Sequence, residues 1–171
     1  MLKEIFVAIL LASQSFTHAQ DLPAIAVLDM EGKGVDAQEA SVLTDKLRGE
    51  LVASQAFNVV ERGTMNEILK EQGFQQTGCT SNECIVEAGQ LIGVRYMVAA
   101  TIGKIENTYL LSARIIDVAT GKIEKSVQRE ITGKLTDVLK KGIAQVAKEL
   151  AEFERHDETV KPNTLDRTAR L

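Results

Sequence analysis

Residues 24–61 read AIAVLDMEGKGVDAQEASVLTDKLRGELVASQAFNVVE, and the change of hydrophobic period inside them decides the fold. Ala24-Ile25-Ala26-Val27-Leu28 is a continuous apolar run, the pattern of a strand buried on both faces. Gly32 and Gly34 break it. Asp36, with Glu39 three residues on, forms a capping box that starts a helix. Ala40, Leu43, Leu47 and Leu51 then recur at helical spacing, so one stripe faces a core. Phe57 to Glu61 reads as a second strand. Strand, helix and strand in this order predict a right-handed βαβ unit with parallel strands.

The pattern continues outward. Thr64 and Glu67 form another capping box, Met65, Ile68 and Leu69 are the apolar side of a short helix, and Gly73 ends it. The polar stretch Gln75 to Ser81 leads into a third helix, with Thr80 and Glu83 placed to cap it and Ile85, Ala88, Leu91 and Ile92 as its buried stripe. Gly93 stops that helix. The period then shortens: residues 95–105, 108–118 and 122–132 read as three long strands joined by short turns, which implies an antiparallel meander. A last helix over about 136–152 carries Leu139, Ile143, Val146 and Leu150 on one face. The order β-α-β-α-α-β-β-β-α predicts an α/β domain, a mixed sheet with helices packed on it. Residues 21–153 form that domain, and the polar, charged segment 154–171, which contains Pro162, is expected to be a disordered tail.

At the other end, Met1-Leu2-Lys3 is a short basic segment and Ile5 to Ala12 an apolar run too short to span a bilayer. Thr17-His18-Ala19 then places small residues where a signal peptidase reads them. Residues 1–20 therefore have the layout of a secretory leader cut near Ala19 or Gln20. No Cys sits at the cleavage site, and no later segment is apolar enough for a transmembrane helix. The expected location is periplasmic or otherwise exported.

Over the whole chain of 171 residues, 44% are hydrophobic and 26% charged, the balance of a globular protein. Aromatics are 4% and Trp is absent, so the core must come from Ile, Leu, Val and Ala. A net charge of −4 lacks the basic footprint of a nucleic-acid binder.

Cys79 and Cys84 are the only cysteines. In an exported protein such a pair favours a disulfide. The spacing is not the C-x-x-C of redox motifs. Zinc would need further ligands, and the exported chain has one His, His156, in the tail. For the same reason no Ser-His or Cys-His nucleophilic site has a base. Asp29 and Glu31 sit at the carboxyl end of the first strand, where open α/β sheets bind ligands. A metal or acid–base site is one reading of them; a polar strand exit leading into a capped helix is the preferred one. The glycines do not match a phosphate loop. No cofactor and no metal are expected.

Several stretches resemble one family. Ala24 to Asp29 followed by Glu31-Gly32, the helix segment Leu43 to Arg48, Phe57-Asn58-Val59-Val60-Glu61-Arg62 followed by Met65 and Ile68-Leu69-Lys70-Glu71-Gln72, Leu91 to Val98 leading to Gly103-Lys104-Ile105, and Ile115-Ile116-Asp117-Val118 with Thr120-Gly121 are together similar to the curli-secretion-channel (CsgG-like) family. They cover roughly residues 24–150. The resemblance, which extends to the LpoB-like activators of penicillin-binding proteins, implies a periplasmic α/β domain that works by protein–protein contact and not by catalysis. The expected function is thus that of an envelope protein-binding domain, accessory to secretion or to envelope assembly of the curli or peptidoglycan-synthesis type. Asp29, Glu31, Lys33, Gln75, Gln76 and Thr77, with a sheet edge, are its candidate contact residues. The expected partners are envelope proteins, from a secretion channel or the cell-wall synthesis machinery. A self-assembling ring or pore subunit is the alternative, and a metal-dependent hydrolase using Asp29 and Glu31 a third.

Overall fold

The computed structural model describes residues 22–74 and 79–159, the last six by backbone alone. Residues 1–21, on which the expected leader falls, Gln75, Gln76 and Thr77, and the segment from residue 160 lie outside the described residues. The elements run β1 (Ala24–Val27), β2 (Glu31–Lys33), α1 (Ala37–Ser54), β3 (Asn58–Val59), α2 (Arg62–Glu71), α3 (Asn82–Ile92), β4 (Tyr96–Ile105), β5 (Thr108–Asp117) and β6 (Ile123–Thr132). A last helix, α4, opens with one turn (Leu135–Asp137), passes through a π-helical segment (Val138–Gly142) and continues as Ile143–Thr159. All strands join one mixed sheet in the order β3-β1-β4-β5-β6, with β2 also on β4. β1 pairs in parallel with β3 and β4, and β4, β5 and β6 form the antiparallel meander.

β1, the start of β4 and the end of β5 are covered on both faces because they are apolar on both sides. On one face α1 and α4 cover Ile25, Val27, Tyr96, Val98, Leu111 and Ile115. On the other α2 and α3 cover Ala26, Leu28, Met97, Ile116 and Val118. The stripe Ala40, Leu43, Leu47 and Leu51 of α1 is buried as the spacing predicts, each leucine contributing about 2 kcal/mol by leaving water. The Asp36–Glu39 capping box is present.

Several boundaries depart from the sequence reading. The N-cap of α2 is Glu61, whose carboxylate accepts the Thr64 N–H at 2.9 Å; Thr64 and Glu67 lie inside the helix. The N-cap of α3 is Ser81 and not Thr80, its hydroxyl accepting from the Cys84 N–H. The second strand shrinks to Asn58–Val59, because Glu61 already starts α2. α4 runs to Thr159, beyond the expected end near 152, and the Phe153 ring packs edge-on against Tyr96 there. Finally, Glu31–Lys33 is a strand and not part of a glycine turn. It pairs with Thr101–Gly103 on the same edge of β4 that β1 uses at Tyr96–Val98. β1 and β2 are one strand interrupted at Leu28–Met30, and that interruption creates the site.

Candidate functional site

At the break, Asp29 is exposed while Met30 turns inward. The Met30 N–H donates to the Thr44 hydroxyl at 2.9 Å, and that hydroxyl donates in turn to the Ala40 carbonyl. Thr44 is fully buried, and these two bonds satisfy it. Gly32 is required where the chain folds back: a Cβ there would lie 2.5 Å from the Val35 carbonyl oxygen. The result is a cleft of about 420 Å³. It is lined by Asp29 and Glu31, by Cys79 and Thr80, and by Ala99 and Thr101 of β4.

Two arginines hold the walls. Arg62, the first residue of α2, reaches Asp29 and Asp45 at 3.0 Å each and donates to the Ser41 hydroxyl. Partial burial would lower its proton affinity, but Asp29 and Asp45 outweigh that and raise it. Arg114 of β5 donates to the Thr80 carbonyl at 2.7 Å, pinning the far wall to the sheet. Beneath Arg62, Arg48 is nearly buried in α1. It donates to the Val27 carbonyl at 2.9 Å and to Asp45. Burial pulls its guanidinium below the ordinary value, and Asp45 counters this.

Cys79 and Cys84 are joined in a disulfide that ties the cleft wall to the first turn of α3. Asp29 and Glu31 both line the cleft but serve different partners, Asp29 being held by Arg62 and Glu31 lying 3.7 Å from Lys33. Lys33 is exposed, close to Glu31. Among the described residues no group of three or more His, Cys, Asp or Glu is placed to hold a metal ion. Ser41, the hydroxyl nearest the arginine pair, is hydrogen-bonded by a guanidinium that cannot take its proton. What the cleft offers is hydrogen-bond donors and acceptors around small side chains.

Sequence reasoning undervalued three arginines. Arg62 reads as a turn residue, and Arg114 is one charge in an alternating strand. Arg48 carried a signal: it and Thr44 fall in line with the buried stripe of α1, where a polar residue must find a buried partner.

The family model for the curli production assembly/transport component CsgG matches residues 17–110, more than half of the chain. No curated protein matches it by sequence. Among solved structures, the LpoB C-terminal domain from Salmonella enterica is similar with a TM-score of 0.56 at 17% identity, covering 75% of this chain and 94% of that one. The lipoprotein GNA1162 from Neisseria meningitidis gives 0.56 at 13% identity, covering 82% of this chain and 99% of that one. These two likenesses concern the fold. No helix among the described residues is long and apolar enough to cross a membrane.

Proposed function

The chain belongs to the family of the curli production assembly/transport component CsgG, and on that premise we propose that it is a non-enzymatic, exported protein-binding domain, accessory to secretion or envelope assembly. The cleft at the break between β1 and β2 is its docking site for another envelope protein. The observation that supports this reading most is the way the cleft is held open. Arg62, Arg114 and the disulfide each brace a wall, so the cleft is formed before a partner arrives and its ordering cost is already met. Asp29 and Glu31 serve as acceptors in it, and Lys33, Gln75, Gln76 and Thr77 are its further contact residues. Thr101→Trp tests the reading by filling the cleft from β4. Loss of the envelope protein co-purified with the wild type, at unchanged thermal stability, is the expected result; undiminished co-purification rejects the cleft.

One observation favours the second reading, a ring-forming subunit. β6 spans ten residues and, among the described strands, pairs only with β5. Its charges resist one two-fold register: with Val127 opposite its own copy, Glu124 meets Glu130 and Lys125 meets Arg129. Head-to-tail association through this edge is the geometry that closes rings. A defined ring in native mass spectrometry would support it over the adaptor.

A further inference from the structure

The charges that line the cleft do not cancel. Asp29, Glu31, Arg62 and Arg114 are its charged lining residues. Arg62 holds Asp29 at 3.0 Å, and Lys33 lies 3.7 Å from Glu31, so each carboxylate has its cation. Arg114 has no carboxylate: among the described residues it forms no ion pair. Its neighbours across the sheet are Ala99 of β4 and Ser126 of β6, both short and neither charged.

The Arg114 guanidinium is also short of acceptors. Nη2 donates to the Thr80 carbonyl at 2.7 Å, its only hydrogen bond among the described residues. Nε is buried without an acceptor. A partly buried guanidinium has more donors than this to satisfy. It is nonetheless held in place, because β5 is paired on both sides here and Thr80 fixes one end of the fork. A cation positioned in advance loses little freedom when it binds.

The anionic groups of an unmodified protein are carboxylates, and a hydrogen bond from Arg to a carboxylate is roughly twice as strong as one between neutral groups. We infer, on the reading that the cleft docks an envelope protein, that this protein sets a carboxylate against Arg114. The group is an Asp or Glu side chain or the end of the chain, and it cancels the charge that the cleft leaves over. Asp29 and Glu31 repel a second acidic group, so the cleft also orients its partner, with the carboxylate toward Arg114 and N–H donors toward Asp29 and Glu31.

The probes are capped tripeptides: acetyl-Ala-Glu-Ala-amide, its Gln counterpart, and acetyl-Ala-Ala-Ala with a free carboxyl end. Each is titrated at millimolar concentration into protein carrying ¹⁵N-labelled arginine, and the Arg114 Nε–H signal is followed by NMR. A carboxylate peptide is expected to shift that signal to saturation, and the Gln peptide to leave it in place. Which of the carboxylate peptides shifts it names the source. A residue that only holds Thr80 would not tell the Glu peptide from the Gln one. In co-purification, Arg114→Gln should weaken capture of the envelope protein by about tenfold or more, and Arg114→Lys should recover part of it. Circular dichroism checks the fold of both variants. Loss of co-purification with Thr101→Trp but not with Arg114→Gln would overturn this inference and leave the cleft reading standing; undiminished co-purification with Thr101→Trp would remove both. Equal shifts from the Glu and Gln peptides, or no shift from either carboxylate peptide, would also overturn it.

Discussion

Nη2 of Arg62 lies 3.0 Å from Oδ2 of Asp29, so the first residue of α2 clamps the exit of β1 from 33 positions away in the chain. The other arm of the same guanidinium holds Asp45 and Ser41 of α1. One side chain thus fixes a strand end against two helices at the mouth of the cleft. Arg62→Ala is expected to cost about 1 to 2 kcal/mol, above a typical exposed ion pair because one guanidinium serves two carboxylates. Arg62→Lys keeps the charge but not the fork, and should restore less than half of the loss. Arg48→Ala should cost more, about 3 kcal/mol, because it strips the buried Val27 carbonyl and Asp45 of a donor together. Urea unfolding midpoints of the three variants check this ranking.

Two helical glycines should respond to alanine with opposite signs. Around a Cβ at Gly49 in α1 there is open space, so Gly49→Ala should stabilise by up to about 1 kcal/mol. A Cβ at Gly89 in α3 would lie 2.5 Å from Val118 Cγ2 and 2.8 Å from Met97 Cγ. Gly89→Ala should therefore destabilise by about 1 to 3 kcal/mol despite the better helix propensity, because α3 must lift off the sheet. Thermal melts of the two variants, run side by side, decide it.

The Glu61 cap gives a pH signature. The Gly63 and Thr64 backbone N–H groups hold its carboxyl below the ordinary 4.5. A lowered folded-state value means stability that is present above 4.5 and is lost as pH falls through the folded-state value. Wild type should melt above Glu61→Gln at neutral pH. The gap should begin to close below 4.5 and vanish in stronger acid. A gap that persists unchanged in acid would contradict the charged cap.

Reduction of the disulfide should lower stability by about 2 kcal/mol, the modest figure of a short closed loop. Arg114 still holds Thr80 after reduction, so the loss should be local. Hydrogen exchange should speed up in the first turn of α3 and at Thr80, and stay slow in β5.

Much of this architecture was legible in the residues. The apolar run at Ala24–Val27, the Asp36 box and the leucine stripe of α1 each obey a local rule, and the α/β order follows from them. The parallel start and antiparallel meander were equally plain, because strand length and turn length decide them. The interruption between β1 and β2 was not. Glu31-Gly32-Lys33 has no strand propensity, and it is a strand only because β4 runs on past Val98 with an edge to pair. The site suffered most from this. Asp29, Glu31 and Cys79 could each be picked out, but their convergence on one cleft depends on Arg62 and Arg114, whose partners lie 33 and 34 residues away.

The central claim is that the cleft receives a partner, and residue-specific photo-crosslinking in the cell tests it most directly. A photoreactive residue at Thr101 in the cleft is compared with one at Gln128, on the exposed stretch of β6. The account predicts a discrete adduct with one envelope protein from position 101, absent from position 128 and lost on Arg62→Glu. No adduct from position 101, or the same adducts from both positions, would contradict it.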